Sequence, residues 1–187
     1  MTAAKILLIS GSTRGGSTNT AVLRTAQALA PNGVSATLYE GLAELPAFNP
    51  DHDQEPLPPA VAGLRHHVAS ADAIVFCTPE YAGALPGSFK NLLDWTVGGG
   101  EIYRKPVTWI NVAAEGRGAN AQLSLETVLG YVGADVVQDA SRRLPITAAA
   151  IGLDGLVADA VVRDGVVAVL AKLRRHVAFS GKSPQAD

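Results

Sequence analysis

Near the N-terminus the chain reads Lys5-Ile6-Leu7-Leu8-Ile9-Ser10-Gly11-Ser12-Thr13-Arg14-Gly15-Gly16-Ser17-Thr18-Asn19-Thr20. The apolar run from Ile6 to Ile9 is short and unbroken, which suits a strand buried on both faces. Glycines then allow a tight turn, and Ser, Thr and Asn are helix-capping residues, so a helix follows. Strand, glycine turn and helix form the opening unit of a parallel sheet.

The same alternation continues outward. Val22, Leu23, Ala26, Leu29 and Ala30 keep helical spacing until Pro31-Asn32-Gly33 stops them, and Val34–Tyr39 alternates as a second strand. A Pro- and Asp-rich loop over Pro46–Pro56 precedes Leu57, Val61, Leu64 and Val68, which share one helical face. Ala73–Cys77 is a third strand, and a helix starts near Pro86–Ser88 with Phe89, Leu92 and Leu93 inward. Val107–Val112 is a fourth strand, followed by a Gly-rich turn and a helix through Leu123, Val128, Leu129 and Val132. Ala134–Val137 is a candidate fifth strand, and Leu153–Val177 reads as helix with a break at Asp164-Gly165. The expectation is an α/β fold with a five-stranded parallel sheet and helices on both faces. Residues 1–180 form one domain in this reading, with 181–187 as a C-terminal tail.

Composition narrows the function. The chain has 187 residues, and 15 Lys and Arg against 17 Asp and Glu give a net charge of −2. No basic excess points to nucleic acid or an anionic membrane. The single cysteine, Cys77, excludes an intrachain disulfide and a Cys-rich metal centre. No segment approaches the roughly 18 apolar residues of a membrane span, and the short N-terminal apolar run lacks a signal-peptide cleavage site. A soluble cytoplasmic protein is expected.

Open parallel sheets bind ligands beyond the carboxyl ends of their strands, so the loops after Ser10, Cys77 and Val112 matter most. In the first, glycines and a helix start make an anion site, to which Ser12, Ser17, Asn19 and Thr20 add donors and Arg14 a planar charge. The Walker A pattern fails because Gly16 is followed by Ser17 rather than Lys, and the order Gly-x-Gly-x-x-Gly is absent. An N-capped helix behind a flexible turn is the alternative reading of these residues. The second loop runs Thr78-Pro79-Glu80-Tyr81-Ala82-Gly83-Ala84-Leu85-Pro86-Gly87-Ser88. Its prolines stiffen the backbone, its glycines allow close approach to a flat ligand, and Tyr81 offers an aromatic face. Glu80 is a poor phosphate ligand, so this loop meets another part of the ligand.

Gly11-Ser12-Thr13-Arg14 with Ser17 and Asn19, together with Pro79-Glu80-Tyr81 and Pro86-Gly87-x-x-Lys90-Asn91-x-x-Asp94-Trp95, resembles the NAD(P)H-dependent FMN reductase family. That family includes flavin-dependent quinone, azo-dye and chromate reductases. The resemblance implies a flavodoxin-like fold, non-covalent FMN, and NADPH or NADH as hydride donor. By match to the motifs, Ser12, Arg14, Ser17, Asn19 and Thr20 hold the FMN phosphate region, and Pro79, Glu80, Tyr81, Ala82 and Gly83 border the isoalloxazine. Members often carry a polar residue after the Tyr, so Ala82 leaves only backbone contacts at that position. The third loop, Ala113-Ala114-Glu115-Gly116-Arg117-Gly118, resembles the segment that closes the flavin pocket, which would place Gly116 at the cofactor. A plain turn before the next helix is its alternative reading. Arg117 is a candidate for the nicotinamide nucleotide or substrate. Relatives are commonly dimers or tetramers.

Other notable residues have simpler readings. His66 and His67 lie off the apolar face of their helix and read as solvated, and Asp51-His52-Asp53 reads as turn chemistry rather than a metal site. His176 suits a helix C-terminus. Cys77 reads as a small core hydrophobe, with a redox role as the alternative, and Trp95 and Trp109 as core or interface aromatics. The resulting function is an FMN-dependent oxidoreductase that takes hydride from NAD(P)H and passes electrons to free flavin, a quinone or a similar small acceptor. The cofactor carries that chemistry, so no catalytic triad is required. A flavodoxin-type electron carrier and a non-flavin nucleotide-binding domain are the competing readings; the small net charge disfavours the carrier.

Overall fold

The computed structural model describes residues 2–180. The expected tail over 181–187 lies outside the described residues. The strands are β1 (Ala4–Ser10), β2 (Val34–Tyr39), β3 (Ala73–Cys77), β4 (Pro106–Asn111), β5 (Asp135–Val136) and β6 (Arg142–Arg143). The helices are α1 (Thr18–Ala28), α2 (Pro59–Ser70), α3 (Gly87–Trp95), α4 (Ala119–Tyr131) and α5 (Ala160–Ser180).

All strand pairs are parallel, in the order β2-β1-β3-β4-β5, which is the flavodoxin-like order. Strands β1 and β3 are buried almost throughout because helices cover both sheet faces, which is why they read as unbroken apolar runs. On one face, Val61, Leu64 and Val68 of α2, Phe89 and Leu92 of α3, and Leu125 and Leu129 of α4 enclose Leu7, Ile9, Ile74 and Phe76. On the other, Val22, Leu23 and Ala26 of α1 and Val166, Val169, Leu170 and Leu173 of α5 enclose Ile6, Leu8, Val75 and Ile110. Trp95 and Trp109 both belong to the first core, with the Trp95 indole N–H donating to the Pro46 carbonyl at 2.8 Å.

Three expectations need correction. The fifth strand is not one run over Ala134–Val137: β5 and β6 both pair with β4, separated by a 3₁₀ turn at Gln138–Ala140. Leu153 is not helical. Residues 151–157 form a small hairpin with an Ile151–Val157 bridge and Gly155 at φ +77°, a conformation that ends any helix there. Helix α5 then starts behind Asp159, whose Oδ1 accepts from the Val162 N–H at 3.0 Å, and runs unbroken through Asp164-Gly165. Gly165 serves packing instead, since a Cβ there would lie 2.7 Å from Leu144 Cδ2. On α4, Leu123 faces outward at 60% exposure, and Ala121, Leu125 and Leu129 form the inner face. No described helix is long and apolar enough to cross a membrane.

Candidate functional site

Strand order reverses between β1 and β3, and their carboxyl ends meet. The Gly11 N–H donates to the Cys77 carbonyl at 2.8 Å, and a Cβ on Gly11 would stand 2.2 Å from Thr78 Oγ1. Glycine is what lets the first loop lie against the second. Inside the first loop the Ser10 and Thr20 hydroxyls bond at 2.9 Å, Ser10 Oγ accepts from the Ser12 N–H, and Ser12 Oγ accepts from the Arg14 N–H, both at 3.3 Å. Ser17 is the N-cap residue of α1, yet its side chain caps no amide and the first turn holds no acidic residue. Among the described residues the N–H groups of Thr18, Asn19 and Thr20 have no protein acceptor, so the positive end of α1 is open. Ser17 and Asn19 are buried there, while Arg14 is exposed.

Cys77 sits just beneath. Its thiol donates to Asn19 Oδ1 at 3.3 Å, and burial pushes its pKa well above the ordinary value. It remains a protonated packing residue rather than a reactive thiolate.

The second loop sends its residues two ways. Tyr81–Ala84 closes a turn through two N–H to carbonyl bonds of 3.1 Å, with Ala82 at φ +50° and Gly83 at φ +73°, the signs of a type I′ turn. Tyr81 is consequently held outward. Glu80 turns toward the third loop, where its carboxylate accepts from the Asn120 N–H at 2.9 Å and the Ala121 N–H at 3.2 Å. Helix α4 begins at Gly118, which has no side chain to cap it, so Glu80 supplies both the cap and the favourable negative charge.

The third loop is fixed from below and from the side. Asn111 Oδ1 accepts from the Ala113 N–H at 3.0 Å and Asn111 Nδ2 donates to the Gly118 carbonyl at 3.3 Å. Gly116 and Gly118 both take positive φ. Arg143 Nη2 reaches the carbonyls of Ala113, Ala114 and Arg117.

Between these loops lies a cavity of about 430 Å³, within the range of small-molecule sites. Thr18 and Asn19 line it from the first loop, Thr78, Pro79 and Glu80 from the second, and Ala113, Ala114, Arg117 and Gly118 from the third. Of the residues singled out in the sequence, Asn19, Pro79, Glu80 and Arg117 reach its wall. Ser12, Arg14, Ser17 and Thr20 flank it on the first loop; Tyr81, Ala82 and Gly83 form the turn beyond Glu80; Gly116 is exposed outside the lining. The sequence reading passed over Asn111, Arg143 and Ile146. Asn111 ends a buried strand and was visible as a polar residue in an apolar run, whereas Arg143 reads as an ordinary surface cation.

A family model described as NADPH-dependent FMN reductase matches residues 4–145. The chain belongs to that family. An NAD(P)H-dependent FMN reductase of Pseudomonas aeruginosa is 43% identical over 91 residues, 49% of either chain, so this alignment spans about half of that relative. A quinone reductase of Escherichia coli is 32% identical over 71% of this chain and 73% of its own. Among solved structures, the flavoenzyme NAD(P)H:(acceptor) oxidoreductase FerB of Paracoccus denitrificans superposes with a TM-score of 0.73 at 26% identity, covering 93% of this chain and 99% of that one. In this FMN reductase family member the three loops after β1, β3 and β4 surround the cavity.

Proposed function

We propose that this protein binds FMN non-covalently in the three-loop cavity, accepts hydride from NADPH or NADH, and passes electrons to a small acceptor such as a quinone, an azo compound or free flavin. The open N-terminus of α1 at the end of that cavity carries the reading, because it is an uncompensated positive site beside hydroxyls and a guanidinium. Ser12, Ser17 and the first amides of α1 hold the phosphate, with Arg14 closing over it from the exposed side. Bound FMN supplies two-electron chemistry at its ring. Pro79 and the backbone of Glu80 to Gly83 border the ring, Ala113–Gly118 forms the opposite wall, and Arg117 at the rim is placed to meet an anionic group of the incoming nucleotide. The protein's part is to hold donor and acceptor face to face and to present backbone donors where charge builds up.

We also read residues 1–180 as a single FMN-binding domain acting in the cytoplasm as a homodimer or homotetramer. Exposed Leu123 and Tyr131 on the outer face of α4 support self-association.

The visible spectrum of the protein reconstituted with FMN, before and after anaerobic NADPH or NADH, tests the reading. Retained flavin that bleaches promptly is expected. Retained flavin that stays oxidised with both nucleotides would indicate an electron carrier, and no retained flavin would remove the assignment. Arg14→Ala should weaken FMN retention about tenfold by loss of a charge-assisted contact, whereas His66→Ala, on the exposed face of α2, should not. Equal retention in the two variants would overturn the phosphate site.

A further inference from the structure

Arg143 lies outside every motif in the sequence and does not line the cavity, yet its guanidinium holds the loop that does. Nη2 is 3.1 Å from the Ala113 carbonyl oxygen and 3.0 Å from that of Arg117, and it also bonds the Ala114 carbonyl. Strand β6 sets this geometry, because Arg143 pairs with Asn111 at the end of β4, directly before the loop. The neighbouring backbone fixes the strand there through the Leu144 N–H, which donates to the Asn111 carbonyl at 2.8 Å.

Peptide planarity turns this clamp into a statement about donors. In a trans peptide the N–H points opposite to the preceding carbonyl. With the carbonyls of Ala113, Ala114 and Arg117 aimed at Arg143, the N–H groups of Ala114, Glu115 and Gly118 point away from it. Among the described residues these amides have no protein acceptor. Ala113, Ala114, Arg117 and Gly118 line the cavity, and Arg143 does not.

We propose that Arg143 is a positioning residue: by gathering the loop carbonyls on the solvent side, it aims the amides of Ala114, Glu115 and Gly118 at an electron-rich edge of the bound ligand. This rests on the FMN reading of the cavity. A lysine does this less well: all three contacts come from Nη2, whose direction is set by the rigid guanidinium plane, whereas an ammonium on a flexible stem is not held in one orientation. Arg142, next in the chain, is the internal control. Its Nη1 donates to the Asp139 and Ser141 carbonyls at 2.9 and 2.7 Å, neither of which lines the cavity.

The test compares Arg143→Ala, Arg143→Lys and Arg142→Ala by two readouts: FMN affinity by fluorescence titration, and hydrogen exchange of residues 113–118 in the flavin-free protein. Arg143→Ala should raise exchange at Ala113 and Arg117, whose N–H groups bond Asn111 Oδ1 and the Ala114 carbonyl within the clamped loop, and weaken FMN binding about tenfold. Arg143→Lys should move both in the same direction by less, and serves if the alanine variant does not fold. Arg142→Ala should leave both readouts unchanged. Unchanged exchange in the Arg143 variants would overturn the clamp, and faster exchange with unchanged FMN affinity would overturn the positioning role. Equal loss of FMN affinity in Arg142→Ala would reduce Arg143 to general stability. If the unsubstituted protein itself failed to bind FMN, the reading of the cavity would fall, while the exchange data would still judge the clamp.

Discussion

Ala82 is the one position in the pocket loops where the side chain and the backbone disagree. Both central residues of its turn need positive φ, and alanine at +50° pays for its Cβ where Gly83 does not. Ala82→Gly should therefore stabilise the protein by about 0.5–1 kcal/mol, offset in part by the greater freedom of glycine in the unfolded chain. Differential scanning fluorimetry should show a rise of about 1–4 °C, and a fall would mean that the turn is not strained as described. The tension was half legible in the sequence. The resemblance pointed to Ala82 as an unusual residue, but its positive φ depends on the pairing of Tyr81 with Ala84, which composition does not reveal. Glu80 is similar. Its unsuitability for phosphate was evident from charge alone, whereas its actual partner, the start of α4, lies forty residues on.

At the scale of elements, α3 secures a long irregular segment. Asn91 Oδ1 accepts from the Phe48 N–H at 2.7 Å, Asn91 Nδ2 donates to the Pro46 carbonyl at 2.9 Å, and the Trp95 ring packs edge-on against Phe48 at 5.0 Å between centroids. Part of the Lys90-Asn91-x-x-Asp94-Trp95 motif is thus architectural: one face of α3 straps the Pro46–Phe48 chain to the core. Asn91→Ala should cost about 1–3 kcal/mol by orphaning the Phe48 N–H, the Pro46 carbonyl keeping the Trp95 indole as its donor, and should show as a lower urea midpoint and faster proteolysis in residues 46–58. Resistance to protease equal to that of the unsubstituted chain would argue that the strap is redundant. The elements themselves were legible wherever burial writes a clear pattern, as in β1, β3 and the Val61-Leu64-Val68 face of α2. They were obscured where one residue type serves two ends: Gly165 looked like a helix breaker and is a contact surface for Leu144, and Leu123, named only as part of its helix, faces solvent while Leu125 is core.

For the molecule as a whole, alkaline pH provides a sharp test of the packing around β2. Burial, with the Glu44 carboxylate adding to it, raises the Tyr39 phenol from 10.0 to about 12. A raised acid keeps the folded state fully stabilised below pH 10, where folded and unfolded chains are both protonated, and loses that stability as pH rises toward about 12. Tyr39→Phe should flatten this decline between those limits in pH-dependent urea unfolding. An unaltered slope would place the responsible group elsewhere. The two edges of the sheet also differ in kind. Strand β2 offers six residues of ladder, while the opposite edge is cut into two pieces of two residues by the 3₁₀ turn. The carbonyls of Asp139 and Ser141 along that interrupted edge are already occupied, by Lys172 and Arg142. A foreign strand finds there neither the length nor the free acceptors it needs to add on, so fibrillar growth through this side is blocked and concentrated solutions should stay clear of it.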